Sequence, residues 1–410
     1  MPSKQINSTK SQRAERRQFL KAAAATGAMA LTSAGRADDD KPAAGQAKTN
    51  AMPLRPLGKT GLRVPILQVG GTYRFNPRYV QAALDLGCNF FDTAAVYVNG
   101  KSEETLGAAI AKLKVRKDVT VVTKGHPSAP EKLAPAIDES LERLKFDMAD
   151  IYYLHNLSDV DVLKSEGWKA AAEKMKKAGK IRFFGFSVHN ENCVELLNRA
   201  ATAGWIDVIM LKYNFRSYGD VELNKAIDAA HKAGIGLIAM KTQGSASSFA
   251  PRVDPFKAAG YSKHQAVLKA VWKDERIASA ISAMPSIAVL KENASAATME
   301  LTAREQELLD QYAALTSPTY CHGGCGGCHR ECETAAGRPL AIADTLRYLM
   351  YHDAYGRRAE AREKYSSLDP VARAWNGVDL DEIERSCPAG VAVKSLIQRA
   401  EMALSGSRKA

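Results

Sequence analysis

The chain has 410 residues, 46% hydrophobic and 25% charged, with a formal net charge of +12. That is an ordinary soluble composition, with enough apolar material for a large core. The charge is no nucleic-acid signature, because residues 1–37 hold seven basic groups against one acid; about half of the excess goes with them, and no basic run occurs elsewhere.

At the N-terminus, Glu15-Arg16-Arg17-Gln18-Phe19-Leu20-Lys21 precedes an alanine-rich apolar run from Ala22 to Leu31. A small-residue exit follows, with Ala34 or Ala37 as a cleavage point. A basic start, a short apolar core and small exit residues define a secretory signal, and the paired arginines point to the twin-arginine translocase. At about ten residues the run is too short to span a bilayer, so the mature chain is expected to have no stable membrane span and to be periplasmic. Residues 38–51 are polar and lack apolar periodicity, which predicts a disordered linker.

From Met52 the pattern changes. Eight short apolar runs follow one another: Val64–Gly70, Asn89–Ala94, Val119–Lys124, Asp150–His155, Ile181–Val188, Asp207–Tyr213, Gly236–Lys241 and Ile277–Met284. Each is followed by a helix-compatible segment, as in Glu131–Leu144, where Leu133, Ile137, Leu141 and Leu144 share one face. Most recur about every thirty residues, the length of one strand–helix unit. Eight such units predict an α/β fold, a closed parallel (β/α)8 TIM barrel over residues 52–316. Val69-Gly70-Gly71-Thr72 is not the glycine fingerprint of an open dinucleotide-binding sheet.

Past Ser317 the alternation stops. Residues 317–410 open with a cysteine cluster and continue through Leu340–Met350 and Val391–Ala403, both of helical periodicity, separated by the charged stretch Arg357–Lys364 and a loop. This predicts a small C-terminal helical domain.

Barrel chemistry belongs at the C-terminal ends of the strands. Three early strands end there in polar residues: Asp92, with Tyr97 five residues on, then Lys124, then His155. Tyrosine, with an ordinary pKa of about 10, is a poor proton donor unless a cation stabilises its phenolate. Lys124 suits that task, Asp92 can hold the lysine, and His155 can orient a carbonyl oxygen. The four together suit reversible reduction of a small-molecule carbonyl, or oxidation of an alcohol.

These residues resemble the aldo-keto reductase family, through Asp92-Thr93-Ala94 to Tyr97, Ser102-Glu103, Gly107, Thr123-Lys124, Leu154-His155 and Gly185-Phe186-Ser187. The resemblance implies Tyr97 as general acid/base, Lys124 and Asp92 as its tuning pair, and His155 as the orienting group. It also implies NADP(H), with Ser187 toward the nicotinamide and Glu292-Asn293 toward the adenine. The chain departs from the family at Met210, where a glutamine is expected, and at Met240, where an aromatic is expected. Ala283, Met284 and Val289 occupy the region where cations would meet the 2′-phosphate.

The tail cluster runs Cys321, Cys325, Cys328 and Cys332, spaced C-x3-C-x2-C-x3-C, with Cys387-Pro388 further on. The last three match a ferredoxin-type run, and the interleaved glycines leave room for backbone around sulfide. The segment resembles the ferredoxin-like tail of some exported aldo-keto reductase-like proteins, including Arg347–Tyr351 and the Cys-Pro pair. It implies one 4Fe-4S iron–sulfur cluster, its fourth ligand being Cys321 or Cys387. Two rivals stay open: Cys325-Gly326-Gly327-Cys328-His329 also reads as haem attachment, and four cysteines suit structural zinc. Two functional readings follow. One is an exported oxidoreductase acting through Tyr97. The other is an iron–sulfur electron carrier that meets a redox partner protein and uses the barrel as a scaffold.

Overall fold

The computed structural model describes residues 51–190, 192–246, 255–316, 321, 328, 331–353 and 356–405. The signal at 1–37 and the linker up to Asn50 lie outside the described residues.

Parallel strands covered on both faces read as unbroken apolar runs, and this sequence supplies them. All six residues of Ala149–Leu154 are buried, as are all five of Val208–Lys212 and of Gly236–Met240. The strands are β1 (Leu54–Pro56), β2 (Arg63–Pro65), β3 (Leu67–Gly70), β4 (Phe90–Asp92), β5 (Thr120–Gly125), β6 (Ala149–Leu154), β7 (Ile181–Val188), β8 (Val208–Lys212), β9 (Gly236–Met240) and β10 (Ser279–Ala283). Strands β3 to β10 form a closed parallel barrel in chain order. The last strand pairs with the first, Ala280 beside Leu67 and Ala283 beside Gly70. The α/β barrel expected from the eight runs is the observed fold.

The first run differs from expectation. Val64-Pro65 closes an antiparallel hairpin of β1 and β2, and the barrel strand starts only at Leu67. Proline lacks the N–H that a central ladder requires, so the chain changes role there. Leu57 and Val64 of the hairpin join Phe90, Val122, Ile151, Tyr153, Met210 and Ile238 in the apolar cluster that fills the barrel. Gly58 lets the hairpin approach β9: its φ is +53°, and a Cβ there would strike the backbone of Gly234–Gly236.

Amphipathic helices cover the outside. Leu133–Leu144 buries Leu133, Ile137, Leu141 and Leu144, the face read from the sequence, after a 3-10 turn at Pro130–Lys132. Lys101–Leu113 lies against it, and Gly107 allows the approach, because any Cβ there would meet the backbone of Leu144.

Beyond the barrel, helices Glu331–Ala335, Ile342–Asp353, Arg358–Ser366, Leu380–Ser386 and Val393–Leu404 enclose a second apolar core around Leu346, Leu349, Tyr365, Ile383 and Ile397. The charged stretch read as a separator is therefore a helix, and the following loop contains another. Arg358–Ser366 is held by only Ala361 and Tyr365, one turn apart, while its charges face water. Leu380–Ser386 is capped by Asp379, whose carboxylate accepts from Asp381 and Glu382 N–H. Asn50–Ala410 form one compact unit. No helix among the described residues is long and apolar enough to cross a membrane.

Candidate active site

Asp92 is the last residue of β4, Lys124 stands near the end of β5, and His155 follows β6 directly. Tyr97 sits in the turn after β4, half-buried. That turn is laced to the neighbouring strand, with Thr93 N donating to Val122 O at 2.8 Å and Ala95 N to Lys124 O at 2.9 Å. Below it, the Ser102 hydroxyl accepts from Thr93 Oγ1 at 2.7 Å and donates to Gly71 O at 2.6 Å. Glu103, fully buried, accepts from Thr123 and from Arg143 Nε at 2.5 Å. The Ser-Glu pair thus fastens the helix start under the turn that carries the phenol.

The four expected site residues converge. Lys124 Nζ donates to Asp92 Oδ1 at 2.6 Å, to Thr93 O at 2.7 Å and to Tyr97 Oη at 3.4 Å, which engages its three protons. The ammonium also lies 4.6 Å from the centre of the Tyr97 ring. His155 meets Tyr97 edge to face at 5.6 Å, and its other side stacks on His126 at 4.7 Å. His155 Nδ1 and Asp92 Oδ2 are buried without a hydrogen-bond partner among the described residues.

Electrostatics separates the roles. Burial pushes the Asp92 carboxyl up to about 6, although Lys124 pulls it the other way. Burial also opposes the charge on Lys124, but Asp92 and then Tyr97 outweigh it and hold the amine above its ordinary value. Asp92 and Lys124 each favour the charged form of the other, so that a cation faces the phenol. Burial, then Lys124, His126, His189 and Lys241, pull His155 down to about 2, so its imidazole stays neutral. A neutral imidazole can donate one hydrogen bond without charge.

Backbone strain gathers at the same rim. Among the described residues other than glycine, φ is positive at Val98 and Asn99 after Tyr97, at Asn156 after His155, and at Lys241 after β9. For a β-branched residue such as Val98 this is a true outlier, and strain of this kind clusters at ligand sites. The other two cases, Lys114 and Lys145, merely end helices.

The expected cofactor residues are more scattered. Ser187 Oγ accepts from Asn156 N at 2.8 Å, and Ser187 O accepts from Leu157 N at 2.8 Å, so this serine ties down the turn behind His155. Met210 and Met240 belong to the barrel interior. Asn293 is fully buried and bonds Gln243 at 2.9 Å and Ser282 at 3.2 Å, whereas Glu292 is exposed and accepts from Ser262 at 2.7 Å.

In the tail, Cys321, Cys328, Cys332 and Cys387 line one cavity with Leu346 and Val391. Val391 N donates to Cys387 Sγ at 3.5 Å. Both residues weighed as the fourth ligand face that cavity, while Cys325 lies outside the described residues. Among the described residues no group of three or more donors is placed to hold a single metal ion. Cys88 and Cys193 are buried in the barrel's apolar core.

His126, His189 and Lys241 at the mouth were not singled out from the sequence, and Arg347 and Tyr351 were noted only as part of the tail. The first two had a signal, standing two residues after Lys124 and Ser187. Lys241 Nζ donates to Tyr351 Oη at 3.2 Å, and Arg357 reaches Thr72 Oγ1 at 3.3 Å, so the tail touches the barrel beyond β9 and beyond β3. No local pattern announces contacts made only when two parts of a chain dock.

The comparisons fall on the same regions. The profile of the aldo/keto reductase family matches residues 72–269, and that of the twin-arginine translocation pathway signal sequence matches residues 15–33. The chain is similar to L-galactose dehydrogenase of Arabidopsis thaliana, 29% identical over 303 residues that cover 65% of this chain and 94% of the relative. Among solved structures it is similar to a thermostable aldo-keto reductase in complex with the inhibitor epalrestat, at 26% identity and a TM-score of 0.52, over 64% of this chain and all of the other. It is likewise similar to an aldo/keto reductase from Klebsiella pneumoniae in complex with NADP and acetate, at 25% identity and a TM-score of 0.52, over 63% and 94% of the two chains.

Proposed function

We propose that this oxidoreductase, whose barrel is matched by the aldo/keto reductase profile over residues 72–269, interconverts a carbonyl and an alcohol with Tyr97 giving and taking the proton. The observation that carries this reading is the contact of Lys124 with both Asp92 and Tyr97. The fixed ammonium stabilises the phenolate when Tyr97 releases its proton to the developing alkoxide. Asp92 keeps that ammonium charged and aimed. Neutral His155, beside the phenol, donates to the carbonyl oxygen and sets its approach.

When bound, NADP(H) would supply or accept the hydride, as the NADP complex of the similar Klebsiella protein suggests. Ser187 and the Glu292-Asn293 pair are the residues proposed to hold it, Glu292 being exposed while Asn293 is buried against Gln243 and Ser282. Without cations at Ala283, Met284 and Val289, discrimination between NADPH and NADH is expected to be weak. Fluorescence titration with the two nucleotides side by side measures it.

The Tyr97→Phe substitution tests the main reading. It should lower kcat toward 4-nitrobenzaldehyde by at least about 100-fold while leaving the melting temperature unchanged. An undiminished rate removes Tyr97 from the reaction.

A second reading has its own observation, the four thiols around one cavity. Cys328, Cys332 and the undescribed Cys325, with Cys321 or Cys387, would hold an iron–sulfur cluster, which supplies one-electron transfer to a redox partner protein. Such a cluster gives a broad shoulder at about 400 nm that dithionite bleaches, whereas haem gives a sharp Soret band and zinc gives no colour. With the signal at residues 15–33, the proposed site of action is the periplasm, reached through the twin-arginine translocase.

A further inference from the structure

The barrel alone does not complete its own mouth. The helix Ile342–Asp353 brings Arg347 and Tyr351, one turn apart, toward the end of β9, where Tyr351 Oη accepts from Lys241 Nζ at 3.2 Å. Lys241 also lies over the Tyr351 ring, 5.5 Å from its centre. The lysine holds a left-handed backbone, φ +60°, that a long side chain rarely adopts. Lys241 and Arg347, one from a strand end and one from the tail, both act electrostatically on Tyr351 and on His189, which places two cations near one rim.

Their counterions are unequal. Arg347 has Asp344 at 2.6 Å. The partner shown for Lys241 is a phenol, a neutral acceptor rather than a carboxylate. The Lys124 ammonium and the Asp92 carboxylate balance one another deeper in the mouth. The surplus positive charge reaches both imidazoles: Lys241 and Arg347, with Lys212, help burial to hold His189 well below the usual imidazole range, and Lys241 acts on His155 as well.

We propose that Lys241 and Arg347 form an anion subsite at the barrel rim that holds a carboxylate on the carbonyl substrate, Tyr351 occupying the lysine until that carboxylate arrives. This rests on the reading of the barrel as a carbonyl-reducing site. A charged acceptor makes a stronger hydrogen bond to an ammonium than a neutral phenol does, and a guanidinium offers a carboxylate two parallel donors. With one end of the substrate held at β9, its carbonyl is directed inward to Tyr97 and His155. The helix that supplies Arg347 and Tyr351 thereby acts as a specificity element of the enzyme.

The test is a binding measurement on the full-length protein with two ketones of the same shape, 4-acetylbenzoate and 4′-methylacetophenone, by titration calorimetry. The wild type should prefer the carboxylate at least tenfold. That ratio should fall to near one in Lys241→Met, fall severalfold in Arg347→Met, and survive in Lys241→Arg. Equal affinity for the two ketones in the wild type, or a preference that persists in Lys241→Met, overturns the proposal. Because calorimetry reads binding alone, a wild type that prefers the carboxylate yet reduces neither ketone sinks the proton-transfer reading and leaves the subsite standing.

Discussion

His155 and His189 are imidazoles that the fold keeps without charge, His155 at about 2 and His189 well below its ordinary range, each through burial first and neighbouring cations second. The unfolded chain takes up their protons near pH 6.5 while the folded one does not. Stability from these residues is therefore fully present above that pH and is lost as pH falls below it, by up to about 1.4 kcal/mol per pH unit for each imidazole. Urea unfolding at pH 7 and pH 5 should show the loss, and His189→Gln should make the slope shallower. A slope that His189→Gln leaves unchanged contradicts the assignment. Asp92 makes a different prediction. Asp92→Asn leaves the buried Lys124 ammonium without its carboxylate, at a cost of about 3 kcal/mol in a urea melt. It should also reduce turnover, since the cation facing Tyr97 is then poorly held.

Gly107 shows how an element can be read for two reasons at once. It resembles a family position in the sequence, and in the fold it lets the helix Lys101–Leu113 meet the backbone of Leu144. Gly107→Val should cost about 2 kcal/mol through forced separation of the two helices, seen as a lowered melting temperature; an unchanged one means that the helices are not pressed together there. The barrel strands were legible because burial on both faces writes an unbroken apolar run, and Ile181–Val188 matches its strand end to end. The hairpin was not legible. Val64-Pro65 and Leu67–Gly70 form one apolar run, and only the ladder shows that a proline divides it. Arg358–Ser366 escaped because two apolar residues carry it. At the site, Asp92, Tyr97, Lys124 and His155 lie on three consecutive strand–loop units, so sequence order suffices to bring them together. Lys241 and Tyr351 are 110 residues apart, and their pairing depends on how the tail docks.

The whole molecule joins an export signal, a barrel and a cysteine-bearing tail in one chain. Replacing Arg16 and Arg17 by lysine should hold the protein in the cytoplasm, as measured by fractionation and immunoblot; unchanged export would reject the twin-arginine reading of residues 15–33. Asn50–Ala410 is one compact unit, and one feature that ties its parts is the helix Ile342–Asp353. Its Leu346 lines the thiol cavity and its Tyr351 bonds Lys241 at the barrel rim. One helix thus reaches both the thiol cavity and the barrel rim. A ligand of the thiols that changes affinity at the rim by displacing this helix is itself held more or less tightly, by the same factor, when the rim is occupied.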